Sequence, residues 1–234
     1  SSMDYNEKNV SAKKNSPAVT FDNVTFCYQN SKAPSLSNIS FSVKPGQTVG
    51  IIGGTGSGKS TLLHMLGALD RPTSGQVWLA GKNLDGFSEE SLARIRRRKI
   101  GFVFQAFNLV PSLNVWENAV LPIGLDGRAA DEDFVKDIIK TLGLEDKAHN
   151  MPNTLSGGQQ QRAAIVRAIA AKPSIILADE PTGNLDSKTG DEVMALLKFS
   201  AKKYGQTLVV ITHDEDIAQM ADRTIVIEDG KVVE

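Results

Sequence analysis

The sequence has a single cysteine, Cys27, and it has no long apolar run. One thiol excludes an intramolecular disulfide and a metal site built from several thiolates, and it fits a reducing compartment. No stretch approaches the ~18 consecutive apolar residues that a membrane-spanning helix needs, and the polar segment 4–15 lacks the apolar core of a signal peptide. We therefore expect a cytosolic chain whose membrane-spanning partner, where there is one, is another chain or a segment outside this sequence.

The sequence also lacks an excess of either charge, since 26 Lys and Arg oppose 27 Asp and Glu. A net charge of −1 gives no general attraction to nucleic acid or anionic lipid, and we expect no nucleic-acid partner. One run is strongly basic: Arg94, Arg96, Arg97, Arg98 and Lys99. It is compatible with contact to lipid headgroups or nucleic acid, and a solvated helix face is favoured because neither partner is otherwise indicated.

What the sequence has is enough apolar material for a core, at 41% of 234 residues. Ser1 and Ser2 before Met3 resemble a cloning remnant, and we predict a remnant and a disordered tail over 1–17. Residues 18–234 are predicted to form the folded domain. They contain no internal repeat.

Two kinds of apolar pattern predict two kinds of strand. Apolar and polar residues alternate over 18–26 and 36–43, which predicts antiparallel strands at an edge. The short apolar run 48–52 predicts a strand, and the continuous apolar runs at 175–178 and 208–211 are typical of strands buried on both faces of a parallel sheet. The fold class is therefore predicted to be α/β.

Strand signals stop between Phe107 and Ala171, where helical periodicity takes over. We interpret 106–171 as a helical lobe inserted into an α/β core formed by 18–105 and 172–234. Further helices are predicted at 187–203 and 214–220.

A glycine-rich loop follows the strand 48–52 and opens a helix predicted over 59–69. It matches the phosphate-binding pattern G-x-x-x-x-G-K-[ST] with Gly53, Gly54, Thr55, Gly56, Ser57, Gly58, Lys59 and Ser60. Backbone amides and the positive end of the helix would hold phosphates, while Lys59 adds charge and Ser60 offers a hydroxyl to Mg²⁺. A glycine turn with an accidental Lys-Ser is the alternative, but the strand-loop-helix setting favours a nucleoside triphosphate site.

Polar side chains follow three other predicted strands. Asp179 and Glu180 end the run 175–178, where Asp179 can hold Mg²⁺ and Glu180 can polarise the attacking water. His213 follows the run 208–211 and could contact the γ-phosphate, although a lone histidine there is more often structural. Gln105 ends the strand-like segment 100–104, and it is either a metal or water ligand or only a polar residue at a strand exit.

With these residues in place, the chain from Ala18 to Glu234 resembles an ATP-binding cassette (ABC) domain with a P-loop NTPase core. The deciding segment is the family's signature, matched here by Leu155, Ser156, Gly157, Gly158 and Gln159. Read as structure alone, it would be a turn that caps the helix 159–170. The resemblance implies that Tyr28 stacks on adenine and that the Walker A loop extends to Thr61. It also implies a Q-loop at Gln105, a Walker B pair at Asp179 and Glu180, a D-loop at 184–186 and a switch histidine at His213.

The resemblance implies an ATPase that works as a homodimer or heterodimer around two ATP and two Mg²⁺. One subunit's Lys59, Ser60 and Asp179 would hold each nucleotide together with the other subunit's Ser156 and Gly158. Glu180, His213 and Gln105 would be catalytic, with Gln105 also a metal ligand. Closure would drive a transmembrane permease from the cytoplasmic face of the membrane.

Segments such as 100–109 and 178–186 resemble the branch that serves lipoprotein release, macrolide efflux, antimicrobial-peptide resistance and cell-division signalling. Segments 26–28 and 51–58 look more like exporters with fused membrane and ATPase domains. We expect an exporter of peptide, lipoprotein or drug-like cargo, and the alternative is a regulatory ATPase that moves no cargo. A groove for the permease's coupling helix would be lined by Phe107, Leu109, Leu113, Val115 and Trp116, although these side chains could equally pack the lobe.

Overall fold

The structure is a computed structural model that describes residues 16–29 and 31–233. Residues 1–15 of the predicted tail lie outside the described part. The chain divides into two compact units, one ending at Arg96 and resuming at Val209, the other covering Arg97–Leu208. The elements in chain order are β1 (Val19–Phe26), β2 (Leu36–Val43), β3 (Thr48–Ile52), α1 (Lys59–Leu66), β4 (Ser74–Leu79), β5 (Lys82–Asn83), α2 (Glu89–Lys99), β6 (Ile100–Phe104), α3 (Val115–Leu125), α4 (Glu132–Thr141), α5 (Gly157–Ala170), β7 (Ile175–Asp179), α6 (Ser187–Lys203), β8 (Thr207–Thr212), α7 (Glu215–Gln219), β9 (Arg223–Glu228) and β10 (Lys231–Val232).

The first unit contains an antiparallel sheet in the order β2-β1-β4-β5. The apolar positions of β1 and β2 point to one face, where Phe21 and Phe41 lie opposite each other and stack at 4.8 Å between ring centroids. Alternation of apolar and polar residues places the apolar side chains on that face, and the register shifts between Phe21 and Val24 and between Val24 and Phe26. The two predicted edge strands are confirmed as an antiparallel pair.

The same unit holds β3, which pairs in parallel with β9 and is buried over its first four residues. Helix α1 follows β3 after the glycine loop, but it ends at Leu66 and not at the predicted Leu69. Gly67 caps the helix, and Ala68 takes a φ of +53°, a conformation that cannot continue a right-handed helix.

The second unit is built around α5, the helix with nine buried residues against which α3, α4 and α6 pack. Strands β6 and β7 pair in parallel beside it. A Cβ on Gly101 of β6 would lie 2.4 Å from the carbonyl oxygen of Ala168, so glycine is what lets α5 lie this close to the strand. The predicted helix at 187–203 is confirmed.

This second unit, 97–208, has wider bounds than the predicted helical lobe at 106–171. The lobe and core boundaries therefore stay a prediction. No helix in the described ranges is long and apolar enough to cross a membrane.

The basic run is not simply a solvated face. Within the second unit, the Nε atoms of Arg97, Arg98 and Arg128 all lie close to the carboxylate of Asp126, at 3.3, 2.8 and 2.6 Å. The Asp126 side chain is only 4% exposed. Burial alone would raise its pKa, but the three guanidinium groups outweigh burial and lower it.

Candidate nucleotide site

In the first unit, the glycine loop connects β3 to α1 with a backbone that only glycine adopts easily. Gly56 and Gly58 have φ values of +79° and +103°. Gly58 is the N-cap residue of α1, and no side chain caps the helix there. The amides at the start of α1 are thus positioned to bind an anion.

The loop is packed closely against its surroundings. A Cβ on Gly53 would lie 2.4 Å from the Ile227 carbonyl oxygen, and one on Gly58 would lie 2.7 Å from the Ser35 carbonyl oxygen. The Lys59 ammonium contacts the Gly53 carbonyl oxygen and lies 3.5 Å from that of Gly54. The cation is therefore held over the loop itself, where a bound phosphate would be neutralised.

Two further predicted residues lie near this loop in the first unit. Tyr28 is 46% exposed, and its hydroxyl lies 3.2 Å from that of Thr61, within the first turn of α1. An aromatic ring with open surface beside the phosphate loop suits stacking on a base. His213 lines one concavity together with Gly53 and Gly54, so the structure brings the histidine to the loop.

In the second unit, the pairing of β6 with β7 sets Phe104 opposite Asp179. Gln105 and Glu180 follow these residues, so both emerge at the same edge of the strand pair. Glu180 has a φ of +45°, which is unusual for a non-glycine residue. Such strain persists where neighbouring contacts impose it and is common at functional positions.

Carboxamide side chains join the end of β6 to the segment after β7, and no sequence pattern predicts these connections. Gln105 donates from Nε2 to Oδ1 of Asn184 at 3.1 Å, and Asn184 donates from Nδ2 to the Gln105 carbonyl oxygen at 2.9 Å. Gln161, which is fully buried, donates to the carbonyl oxygens of Phe104 and Pro181. Polar residues in loops and in a run of three glutamines carry no pattern that would reveal such partners.

The turn after Gln105 is held from α5. Arg167 donates from Nη2 to the Phe107 carbonyl oxygen at 2.9 Å and also contacts that of Asn108. Both accepting residues have positive φ values, +60° and +52°. Burial lowers the pKa of Arg167, and the guanidinium satisfies carbonyls that the irregular backbone leaves unpaired.

The signature segment begins α5 with a reciprocal capping arrangement. The Ser156 hydroxyl accepts from the Gln159 amide at 3.3 Å, and Gln159 Oε1 accepts from the Ser156 amide at 2.9 Å. A Cβ on Gly158 would lie 2.6 Å from Cγ2 of Thr189 in α6. The segment is therefore a helix start, and its second glycine is needed for close packing of two helices.

The predicted residues thus fall into two groups, each assembled within one unit. The first unit holds Tyr28, the loop 53–61 and His213. The second holds Gln105, the signature 155–159, Asp179, Glu180 and the segment 184–186. The roles assigned to individual side chains stay predictions.

The predicted metal ligands are a hydroxyl at Ser60, a carboxylate at Asp179 and an amide oxygen at Gln105. These are hard oxygen donors with few carboxylates, a set that fits Mg²⁺ shared with nucleotide phosphates. Among the described residues, no group of three or more histidine, cysteine, aspartate or glutamate side chains could hold a metal ion alone. Bound Mg²⁺ would neutralise charge on the phosphates.

A buried strand, a glycine loop with its lysine and an uncapped helix start define the class of this molecule. It is a nucleotide-binding α/β protein of the P-loop class.

Comparison with known proteins gives the family. The profile of the family described as ABC transporter matches residues 36–183. The ABC transporter ATP-binding protein MJ0796 of Methanocaldococcus jannaschii is 48% identical over 204 residues, which are 85% of this chain and 87% of that protein. The chain belongs to the ABC transporter family as an ATP-binding domain that hydrolyses ATP.

Two further relatives carry functional names. The lipoprotein-releasing system protein LolD of Cytophaga hutchinsonii is 42% identical, over 85% of this chain and 91% of that protein. The macrolide export protein MacB of Nitrosomonas europaea is 46% identical over 85% of this chain, but the chain spans only 30% of MacB.

A solved structure of MJ0796 superposes on the chain with a TM-score of 0.80 and 44% identity, covering 92% of this chain and 97% of that one. It is a dimer in a post-hydrolysis state with ADP and Pi bound.

Proposed function

We propose that this chain is the motor subunit of an exporter-type ABC transporter. Two copies, or one copy and a related domain, close head to tail around two Mg-ATP and drive a transmembrane permease. Hydrolysis removes the γ-phosphate contact and reopens the dimer, because the nucleotide stabilises the closed state only while it is intact. The free energy of ATP binding closes the dimer, and cleavage of the γ-phosphate bond lets the dimer open again.

One observation supports this proposal: one chain has two helix starts at small-residue segments, and we propose that each of them binds an anion. The glycine loop opens α1 in the first unit, and Ser156 caps α5 in the second unit. Both helix starts place a positive dipole end and backbone amides at a small-residue segment. In a dimer, the glycine loop of one copy and the Ser156 helix start of the other copy would contact the same nucleotide.

The cargo class is inferred from the relatives. MacB is named a macrolide export ATP-binding/permease protein, and LolD is named the ATP-binding protein of a lipoprotein-releasing system. Peptide, lipoprotein or drug-like cargo follows for this chain, with the ATPase bound peripherally at the cytoplasmic face. The transmembrane permease in this proposal is supported by the name of MacB, which joins an ATP-binding part to a permease.

One of the five residues predicted to line the groove for the permease's coupling helix is buried and not available to a partner. Val115 is 1% exposed and belongs to the core of the second unit, so packing is confirmed for it. The side chains of Phe107, Leu109, Leu113 and Trp116 are half-buried and keep some surface. These four are the anchors we propose for the permease.

The dimer is tested with Glu180→Gln, which removes the base but keeps the size and polarity of the side chain. With saturating Mg-ATP, we expect the variant to elute from size exclusion at twice the monomer mass and to hydrolyse ATP at least ~100-fold more slowly than the parent.

The matched control is Lys59→Ala in the same background. It removes the charge over the glycine loop, so the protein should stay monomeric in Mg-ATP. A Glu180→Gln protein that binds Mg-ATP yet remains monomeric at every concentration would refute the shared-nucleotide arrangement.

A further inference from the structure

We infer that Asn184 is a positioning residue that orients the side-chain amide of Gln105 toward Mg²⁺. This inference rests on the proposed function, because it concerns how the same site holds its metal. It adds a residue whose contribution comes through another side chain and not through contact with the nucleotide.

The reciprocal pair fixes which end of each amide faces which atom. A backbone carbonyl can only accept, so the group of Asn184 that lies 2.9 Å from the Gln105 carbonyl oxygen must be the Nδ2 amide. The Oδ1 atom of Asn184 then faces the Gln105 side chain, which must present Nε2 at 3.1 Å. Gln105 Oε1 is therefore the end turned away from Asn184.

The segment around Asn184 is shaped to receive this side chain. A Cβ on Gly183 would lie 2.6 Å from Nε2 and 2.8 Å from Cδ of Gln105, so the glycine leaves the space that the amide occupies. The Gly183 amide donates to the Glu180 carbonyl oxygen at 3.0 Å and closes the turn. Asn184 is thereby held by a turn that begins at the predicted catalytic carboxylate.

Side chains of α5 also hold the backbone close to Gln105 and the backbone close to Asn184. Buried Gln161 bonds to the carbonyl oxygens of Phe104, directly before Gln105, and Pro181, three residues before Asn184. Arg167 holds the carbonyl oxygens of Phe107 and Asn108 on the other side of Gln105. With both backbones fixed, the Asn184 amide restrains the remaining freedom, which is rotation of the Gln105 side chain about its own bonds.

Orientation matters because the two ends of an amide differ in chemistry. Mg²⁺ takes oxygen ligands, so the oxygen end can coordinate the ion or its water and the NH₂ end cannot. An unrestrained glutamine side chain samples several rotamers as well as both amide orientations, and it loses affinity for the ion in proportion to the unproductive ones. Asn184 disfavours the orientation that turns the Gln105 NH₂ group toward the ion before the ion binds. Groups that bond to a metal ligand, and not to the metal itself, commonly orient that ligand in this way.

The test compares ATP affinity in Mg²⁺ with ATP affinity in EDTA, by calorimetry on the full chain in the Glu180→Gln background. Asn184→Ala should weaken ATP binding about fivefold in Mg²⁺, the factor expected for one hydrogen bond of ordinary net strength. In EDTA it should leave the affinity unchanged. Asn153→Ala, an exposed asparagine of the same unit, is the control and should change neither value.

A double-mutant cycle separates positioning from a general structural effect. In a Gln105→Ala background, Asn184→Ala should change the Mg-ATP affinity by less than about twofold, since the amide it orients is gone. The inference is overturned if Asn184→Ala has no effect in the parent, or an equal effect in both backgrounds.

Should Asn184→Ala fold poorly, the amide NMR signals of Gln105 in the parent give a second reading. One Nε2 proton should exchange slowly with solvent, and rapid exchange of both would overturn the inference.

The outcomes for the two proposals are distinguishable. A parent chain that binds no ATP with or without Mg²⁺ would overturn the proposed function and this inference together. A parent that binds Mg-ATP and dimerises, while Asn184→Ala binds Mg-ATP equally well, would overturn the role of Asn184 alone.

Discussion

Single buried carboxamides fix much of the irregular backbone in the second unit. Asn118 on α3 is fully buried and makes four bonds to one loop. Its Oδ1 accepts from the Val110 amide at 2.8 Å, and its Nδ2 donates to the carbonyl oxygens of Val110, Leu113 and Asn114 at 3.1, 2.8 and 3.0 Å. The loop before α3 therefore obtains several of its backbone hydrogen bonds from one side chain.

Asn118→Leu keeps the size of the side chain and removes all four bonds. Because buried backbone groups would lose their partners, we expect the free energy of unfolding to fall by about 2 to 3 kcal/mol in urea titration. The exposed Asn153→Leu should change it by less than about 0.5 kcal/mol. An Asn118→Leu protein as stable as that control would show that water replaces the amide.

The residues of the site differ in how far the sequence could predict them. Glycines, a lysine and carboxylates at strand ends are predictable, because phosphate and metal chemistry demands those types at fixed spacing. Asn118 and Gln161 are not predicted from the sequence, and Asn184 is expected only as part of the D-loop segment, since a carboxamide gains its partners only from the fold. The sequence favours a solvated face for the basic run, and it does not reveal the carboxylate of Asp126 as a partner, because that residue lies 28 positions from Arg98 in the chain.

At the scale of elements, apolar periodicity predicted the main strands and helices, and it was less accurate at their ends. Helix α6 matches its predicted bounds, whereas α1 stops three residues early at Leu66. The pattern continues through Leu69, but the backbone turns at Ala68. Helix ends depend on single-residue conformations that periodicity does not report.

Helix packing in the second unit gives a prediction at this scale. Gly158→Ala would place a Cβ 2.6 Å from Thr189 Cγ2, so α5 and α6 must separate. We expect a loss of about 1 to 3 kcal/mol in the free energy of unfolding, as for other overpacked contacts.

Thr189→Ser removes the methyl group that meets this Cβ and keeps the backbone amide that caps α6 through Asp186. The double variant should recover most of the lost stability in the same titration. Gly157→Ala is the milder control, because its nearest contact is a leucine methyl group at 3.3 Å. A Gly158→Ala defect that Thr189→Ser does not relieve would place the cause outside this contact.

At the scale of the whole molecule, paired carboxylates in the second unit make stability depend on pH. Lys172 and the Phe134 amide lower the pKa of Asp131, and Lys203 and Tyr204 lower that of Asp137. Asp126 has a lowered pKa as well, because three arginines outweigh its burial. A carboxylate whose pKa is lower in the folded than in the unfolded state stabilises the fold at pH values above its unfolded pKa of about 3.9. This stabilisation is lost as the pH falls through the folded-state pKa.

The free energy of unfolding should therefore decrease as the pH is lowered from about 5 toward 2. Asp126→Asn should cost about 2 kcal/mol at pH 7, where it leaves three arginines without their carboxylate. The difference in the free energy of unfolding between Asp126→Asn and the parent should become smaller as the pH is lowered. Urea titrations across this range measure both effects, and parallel curves for the two proteins would contradict the role given to Asp126.

The sequence predicts a helical lobe inserted into an α/β core, and this division stays a prediction. The two compact units of the structure are divided differently, because the second unit also contains β6, β7 and α6, which resemble core elements in sequence. Periodicity identifies an element, but which neighbours it packs against is decided by contacts between distant segments.

The pairing of β3 with β9 has a consequence for biosynthesis. The Thr48 amide bonds to the Asp222 carboxylate across a separation of 174 residues. A ribosome therefore completes the strand that precedes the phosphate loop long before its parallel neighbour exists, and the nascent chain carries an unmatched apolar edge meanwhile. Slow translation between the two segments lengthens the time for which chaperones must shield that edge.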